Sequence, residues 1–208
     1  MEETSLKVET GLILNGFGCV GGVDEVGRGA LAGPVTAAVT AFAPGIDEGL
    51  INEVTDSKLL TPKKREKLAN EIRNLAVVCS VGSCSAEEVD EYGIVVPTKK
   101  AMLRAIADSI RQPDFLLVDA LDLTEANIPF QSIIKGDRKS RSIAAASIVA
   151  KVSRDMEMSN ISSLYDGYGF ERNKGYGTRE HMIALSEKGP SPIHRRSFAP
   201  VSKAMKSL

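Results

Sequence analysis

The sequence predicts an α/β fold, a mixed sheet flanked by helices in a single domain spanning residues 1–208. Three observations carry that expectation. Short apolar runs ending or beginning at glycines read as strands early in the chain; helical and strand-like segments alternate after residue 61; and the longest helical stretch lies near residues 142–165. At 208 residues and 43 % hydrophobic content, the chain can bury a full core.

Gly21-Gly22 followed by Val23 to Glu25 reads as the end of a first strand. Gly33-Pro34 then precedes Val35 to Phe42 (VTAAVTAF), whose β-branched apolar content marks a second, buried strand. A helix begins near Thr61: that residue is a good N-cap, Pro62 suits the first helical position, and Leu68, Ile72 and Leu75 recur at helical spacing. It leads into a strand over Ala76 to Val81. Ser85 with Glu88 makes a capping box for a short helix, and Pro97 to Ile110 places Ala101, Ala105 and Ile106 on one face of a longer one. Phe115 to Asp119 (FLLVD) is a strong strand, and Ile133-Ile134-Lys135 is another that runs into Gly136-Asp137. Ser142 to roughly Tyr165 is the longest helix, and the tail from Tyr168 is rich in Gly, Pro and Arg. No internal repeat interrupts the pattern.

No apolar stretch approaches the roughly 20 residues a membrane span needs, and Met1-Glu2-Glu3-Thr4 lacks the basic and apolar regions of a signal peptide. A soluble, cytoplasmic protein is expected. Cys19, Cys79 and Cys84 are odd in number and lack CxxC spacing, so neither a disulfide framework nor a zinc site is expected. The net charge of −1 hides an asymmetry: residues 135–208 hold 14 Lys and Arg against 7 Asp and Glu. That half suits a phosphate-rich partner.

Four carboxylates occupy unusual places: Asp24 and Glu25 at a strand end beside Gly, Asp119 ending an apolar strand, and Asp137 just after another. Burying an ionised carboxylate costs several kcal/mol unless a cation or hydrogen bonds compensate. Each alone would serve as a turn or helix cap, but four at strand ends point to a divalent metal site, and carboxylate-only ligation suits Mg²⁺ or Mn²⁺. Adjacent side chains on a regular strand face opposite ways, so the strand is expected to twist or end at Glu25, with Gly27 and Gly29 easing the break. The glycines of Gly27-Arg28-Gly29 and Gly33 miss the G-x-G-x-x-G dinucleotide spacing by one residue, and no G-x-x-x-x-G-K-[ST] phosphate loop occurs.

The chain resembles bacterial ribonuclease HII from about Gly22 to Val201. The blocks that carry the resemblance are VDEVGRGALAGPV (Val23 to Val35), DSKLL (Asp56 to Leu60), KGDRKSRSIAAASIVAKVSRD (Lys135 to Asp155), YGFERNKGYGTREH (Tyr168 to His181) and PIHRRSF (Pro192 to Phe198). One departure is Ala30, where the family more often has Pro. The resemblance implies the ribonuclease H-like fold, with a five-stranded mixed sheet and a helical C-terminal part, residues 165–208, that binds substrate. It also implies that Asp24, Glu25, Asp119 and Asp137 are the catalytic, metal-holding carboxylates. Asp155 is the rival for the fourth place; inside the long helix beside Arg154, it reads better as a structural ion pair.

Two divalent ions held by such carboxylates would supply an activated water and charge to stabilise the leaving oxygen in an in-line attack, and the expected products are a 3′-hydroxyl and a 5′-phosphate. The resemblance further implies that the Gly27-Arg28-Gly29 loop contacts the ribose 2′-hydroxyl and that Tyr176 packs on the neighbouring deoxyribose at an RNA–DNA junction. The expected substrates are RNA/DNA hybrids and duplex DNA containing ribonucleotides, cut by a monomer. Ser147, Lys151 and Arg154 fall at i, i+4 and i+7 as one polar stripe of phosphate contacts beside a buried stripe of Ile148, Val152 and Met156, and Lys58 joins them through its block. A metal-free ribonuclease would use paired histidines; His181 and His194 are expected instead to order the C-terminal part. A non-catalytic nucleic-acid-binding module is the alternative of another class. The related ribonuclease HIII would carry a substrate-binding extension, for which the 22 residues before Val23 are too few.

Overall fold

The computed structural model describes residues 4–206, so the acidic opening Met1-Glu2-Glu3 lies outside the described residues. Five strands, β1 (Val20–Val26), β2 (Val35–Ala41), β3 (Val78–Cys84), β4 (Phe115–Asp119) and β5 (Phe130–Ile133), form one sheet in the order β3-β2-β1-β4-β5. β1, β2 and β3 pair antiparallel, whereas β1–β4 and β4–β5 are parallel. In the parallel ladders Val23 faces Val118 and Asp119 faces Ile133. The carboxyl ends of β1, β4 and β5 therefore lie side by side, where open α/β sheets bind ligands.

Eight α-helices lie among the described residues: α1 (Lys7–Leu14), α2 (Pro62–Leu75), α3 (Ala86–Tyr92), α4 (Val95–Ala107), α5 (Arg141–Ser162), α6 (Phe170–Asn173), α7 (Arg179–Lys188) and α8 (Ala199–Lys206). The alternation along β2 assigns its faces. Ala37 and Val39 pack with Ala101, Met102 and Ala105 of α4, while Ala38 packs with α2 and with Ala144 to Ile148 of α5. Gly22 has a steric reason for being glycine: a Cβ there would stand 2.2 Å from the main-chain carbon of Ser142, so the first turn of α5 rests directly on β1.

The element types match the expectation and several boundaries move. β3 runs from Val78 to Cys84 rather than from Ala76, and β5 ends at Ile133, because Lys135 takes a left-handed conformation with φ 56°. α4 starts at Val95, which puts Pro97 in its first turn, where no backbone donor is needed. α1 has no counterpart in the sequence reading. It lacks a side-chain cap, and what holds it is tertiary: Glu9, buried, accepts from the Ser140 hydroxyl at 2.6 Å and from the Ser142 amide at 2.9 Å at the head of α5. The three cysteines are unpaired, and no described helix is long and apolar enough to cross a membrane.

The C-terminal helices cover the loop after β1. Ala32 packs with Met158 of α5, Tyr168, Phe170 and Ala184, and Leu31 packs with Leu185 and Val201.

Candidate active site

The strand ends one residue later than Glu25, between the Asp24-Glu25 pair and the Gly27-Arg28-Gly29 loop. β1 continues with Glu25 opposite Ala37 and Val26 opposite Thr36, and the chain turns only at Gly27, with φ +87°. Asp24 is buried; its Oδ1 accepts the Glu25 amide at 2.7 Å, and Ser147 hydrogen-bonds its carboxylate. Glu25 has a longer arm at the last pairs of the ladder, so both carboxylates enter the field of Asp119 without a break in the strand.

Burial, then Glu25 and Asp119, push the Asp24 carboxyl well above the ordinary carboxylate value. Burial raises Glu25 too, against the Arg28 guanidinium 3.3 Å from its Oε1. Asp119 Oδ1 accepts the Gly136 amide at 2.7 Å, which ties the end of β4 to the short turn Gly136–Arg138 that carries Asp137. Burial, Asp56 and Asp119 together raise Asp137. Two non-glycine residues here adopt the left-handed region, Ala120 (φ 51°) and Lys135 (φ 56°), each at a cost of about 1–2 kcal/mol. They flank Asp119 and Gly136-Asp137, the two segments that must bring their carboxylates together.

Asp119 is the common neighbour whose charge acts on Asp24, Glu25 and Asp137, but the four do not close on each other: among the described residues no three Asp, Glu, His or Cys side chains form a ready-made metal cage. One atom shows what the site is short of. Glu25 Oε2 is buried and has no hydrogen-bond partner, an arrangement costly for an anion and suited to a cation. An all-oxygen donor set of this kind fits Mg²⁺ or Mn²⁺.

The sequence reading missed Asp56, although it sits in the DSKLL block. Its carboxylate, 1 % exposed, accepts the Lys58 amide at 2.9 Å and lies 3.1 Å from the Arg138 guanidinium, beside Asp137. Lys58 itself is exposed and close enough to Asp137 to oppose the rise in its pKa.

The loop beyond β1 is clamped from beneath. Arg28 has a half-exposed side chain, while its carbonyl accepts from Arg195 at 2.8 Å; that buried arginine, also unanticipated, binds the Gly33 carbonyl as well. Gly29 is exposed with open space around its Cα. The Gly175 carbonyl accepts from the Leu31 amide at 2.8 Å and the Ala32 amide at 3.3 Å, which fixes the Tyr176 turn against the same loop. The half-buried Tyr176 ring has Lys151 Nζ 5.6 Å and Arg154 Cζ 5.4 Å from its centre.

The polar stripe expected on α5 is not a solvent face. Arg154 is 0 % exposed, and its guanidinium donates to the carbonyls of Pro34, Ala32 and Lys174. Ser147 is buried between Asp24 and the Ser57 hydroxyl, 3.0 Å away. The sheet and α2 cover Ala144 to Val152 while the C-terminal part covers Arg154 and Met158, so helical periodicity alone misassigns the faces of α5. Met156, expected in the buried stripe, is exposed. Lys151 stays accessible, pairing with Asp155 at 2.8 Å, so Asp155 has Lys151 rather than Arg154 as its ion-pair partner. A groove of about 720 Å³ runs past Lys151, Asp155, Lys174 and Tyr176, and none of the four carboxylates lines it.

A sequence profile described as Ribonuclease HII matches residues 21–201. Ribonuclease HII of Desulfitobacterium hafniense (strain DSM 10664 / DCB-2) is 50 % identical over 203 residues, covering 98 % of this chain and 77 % of the relative. That of Caldicellulosiruptor saccharolyticus is 48 % identical over 95 % of each. The crystal structure of ribonuclease H2 from Pyrococcus horikoshii OT3 superposes with a TM-score of 0.77 at 28 % identity, covering 90 % of this chain and 97 % of that one. Sequence blocks, sheet order and these relatives agree, and the chain belongs to the ribonuclease HII family as a ribonuclease H enzyme.

Proposed function

We propose that this ribonuclease H hydrolyses the RNA strand of RNA/DNA hybrids and nicks duplex DNA on the 5′ side of a single embedded ribonucleotide. The ends left are a 3′-hydroxyl and a 5′-phosphate, and the roles that follow are removal of misincorporated ribonucleotides and of RNA primers. The reading is supported by Asp119, whose charge acts on each of Asp24, Glu25 and Asp137, together with Glu25 Oε2, buried and unpartnered. A module that only bound nucleic acid would gain nothing from four inward carboxylates facing a polyanion.

Asp24, Glu25, Asp119 and Asp137 are the residues that would hold two divalent ions, Mg²⁺ or Mn²⁺. Such ions supply a water activated for attack and charge to stabilise the leaving oxygen. The protein's own groups do the rest. Main-chain atoms at Gly27 and Gly29 approach the ribose 2′-hydroxyl, which no deoxyribose offers. Arg28 presents a positive charge beside Glu25, and the Tyr176 ring gives the next sugar an apolar face. Lys58 and Lys151 reach backbone phosphates, whereas Ser147 and Arg154 act through the groups they hold.

Asp119→Asn and Asp137→Asn are each expected to fold and to lose about 10³-fold or more in rate, the several kcal/mol a bound cation supplies. Asp155→Asn removes only a half-exposed ion pair with Lys151, a loss of less than about 1 kcal/mol in stability, and keeps its rate within a few fold. Initial rates on an RNA/DNA hybrid with melting curves check this, and the opposite ranking would assign the fourth carboxylate to Asp155.

A further inference from the structure

His181 and His194 are both buried, 0 % and 1 % exposed, and all four of their ring nitrogens are hydrogen-bonded. His181 Nδ1 lies 2.9 Å from the Tyr176 carbonyl. A carbonyl only accepts, so Nδ1 carries the proton. At the other end the Ser191 amide donates to His194 Nδ1 at 2.9 Å, so that nitrogen is bare and the His194 proton sits on Nε2. The two Nε2 atoms are 2.9 Å apart, and one arrangement satisfies both: His194 Nε2–H donates to the lone pair of His181 Nε2.

This chain of bonds ends at the Tyr176 carbonyl on one side and at the Ser191 amide on the other, and the residues on either side of His194 tie it to the loop that follows Gly29. At one end the Tyr176 peptide is held twice, its carbonyl by His181 and its amide by the Asn173 carbonyl at 2.9 Å. At the other, the main chain around His194 pairs with the loop that follows Gly29. The Gly33 amide donates to Ile193 at 2.9 Å and the Arg195 amide to Leu31 at 2.8 Å. Phe170 packs edge-on against His181 with ring centres 5.3 Å apart, and Tyr168 lies 5.0 Å from His194. Burial holds both imidazoles below their usual value, His194 at about 4, so neither carries charge near neutral pH.

We infer that His181 and His194 are positioning residues, a two-ring relay of fixed tautomers that aims Tyr176 relative to the Gly27-Arg28-Gly29 loop and so sets selectivity for RNA–DNA junctions. The inference rests on the reading of Tyr176 given above. It assigns the histidines a function that metal-free acid–base catalysis would not predict, since in this pairing each ring's titratable nitrogens are already committed.

The tautomers are read without any activity. The chain has only 2 histidines, so long-range ¹⁵N spectra of labelled wild-type protein contain two ring patterns. One neutral Nδ1–H and one neutral Nε2–H ring between pH 6 and 8 is the result expected; two rings of the same tautomer, or a charged ring in that range, would overturn the relay.

His181→Asn keeps an amide donor where Nδ1 stands, and His181→Gln keeps only the contact to His194. The measurement is kcat/KM on a duplex with one ribonucleotide divided by kcat/KM on a long hybrid. His181→Gln should lower this ratio about tenfold and His181→Asn by less than about twofold. Equal losses on both substrates, or equal behaviour of the two variants, would mean a merely structural pair. If the wild type cuts hybrids but not single ribonucleotides, the junction reading fails, and the tautomers alone then decide whether the relay exists.

Discussion

Asp24→Asn is expected to lower cleavage by about 10³-fold or more and to raise the melting temperature of the metal-free protein. Asp24 is buried, and burial, Glu25 and Asp119 all oppose its ionisation. Its folded pKa therefore lies above its unfolded value of roughly 3.9, and in the window between them the folded state binds the extra proton. Stability falls as pH rises through that window and stays reduced at neutral pH. Asn carries no charge, still accepts the Glu25 amide through its side-chain oxygen, and removes the penalty. The advantage of the variant should therefore grow from pH 4 upward. Added Mg²⁺ should reverse the order, because a ligand bound only by the folded state stabilises it more the tighter it binds, as the logarithm of its affinity, and the variant has lost a ligand oxygen. Melting curves with and without Mg²⁺ show this as a crossing. A variant less stable than wild type in both conditions would mean that Asp24 is a structural residue rather than a ligand for a cation.

Gly27→Ala should destabilise the protein by about 3 kcal/mol, a drop of roughly 10 °C in melting temperature, and depress cleavage of every substrate. The position has φ +87°, and a Cβ there would stand 2.2 Å from Arg154 Nε and 2.7 Å from its Cδ. Arg154 has no room to yield: it is fully buried and binds the carbonyls of Ala32, Pro34 and Lys174. Displacing it would unpair three carbonyls and a guanidinium and release the Tyr176 turn from the loop. Gly29→Ala makes the contrast. A Cβ there would meet nothing within 4 Å, so its stability should change by less than about 0.5 kcal/mol. Any loss of cleavage at Gly29 then reports a clash with the sugar. Comparable destabilisation at both positions would contradict this difference between a glycine backed by Arg154 and one with open space around it.

The carboxylates were legible because each breaks a local rule. A charged residue ending FLLVD, or standing between a strand and a glycine turn, has no packing reason to be there, and the topology then places those strand ends side by side. Less legible was how Asp24 and Glu25 share a field: alternation demanded a break in the strand, and the ladder runs on to Val26. Arg154 was misassigned for a deeper reason. Helical periodicity tells which residues share a face of α5, but residues far along the chain, around Ala32 and Lys174, decide which faces are covered. α1 escaped notice because its determinant, Glu9 at the head of α5, is a contact across more than 130 residues. Asp56 and Arg195 are of the same kind, recognisable as parts of sequence blocks but given their physical role only by Arg138 and by the Arg28 and Gly33 carbonyls, partners distant in sequence.

The central claim is that this carboxylate site and its loop make a metal-dependent nick at a ribose. A labelled DNA duplex containing one ribonucleotide, incubated with Mg²⁺ or Mn²⁺ and mapped to single-nucleotide resolution, tests it most directly. The expected result is a single cut on the 5′ side of the ribonucleotide, a 3′-hydroxyl and a 5′-phosphate, and no cut with chelator or in an all-DNA duplex. A nick that persists in chelator, or a folded protein that leaves this duplex intact with either metal, would contradict it.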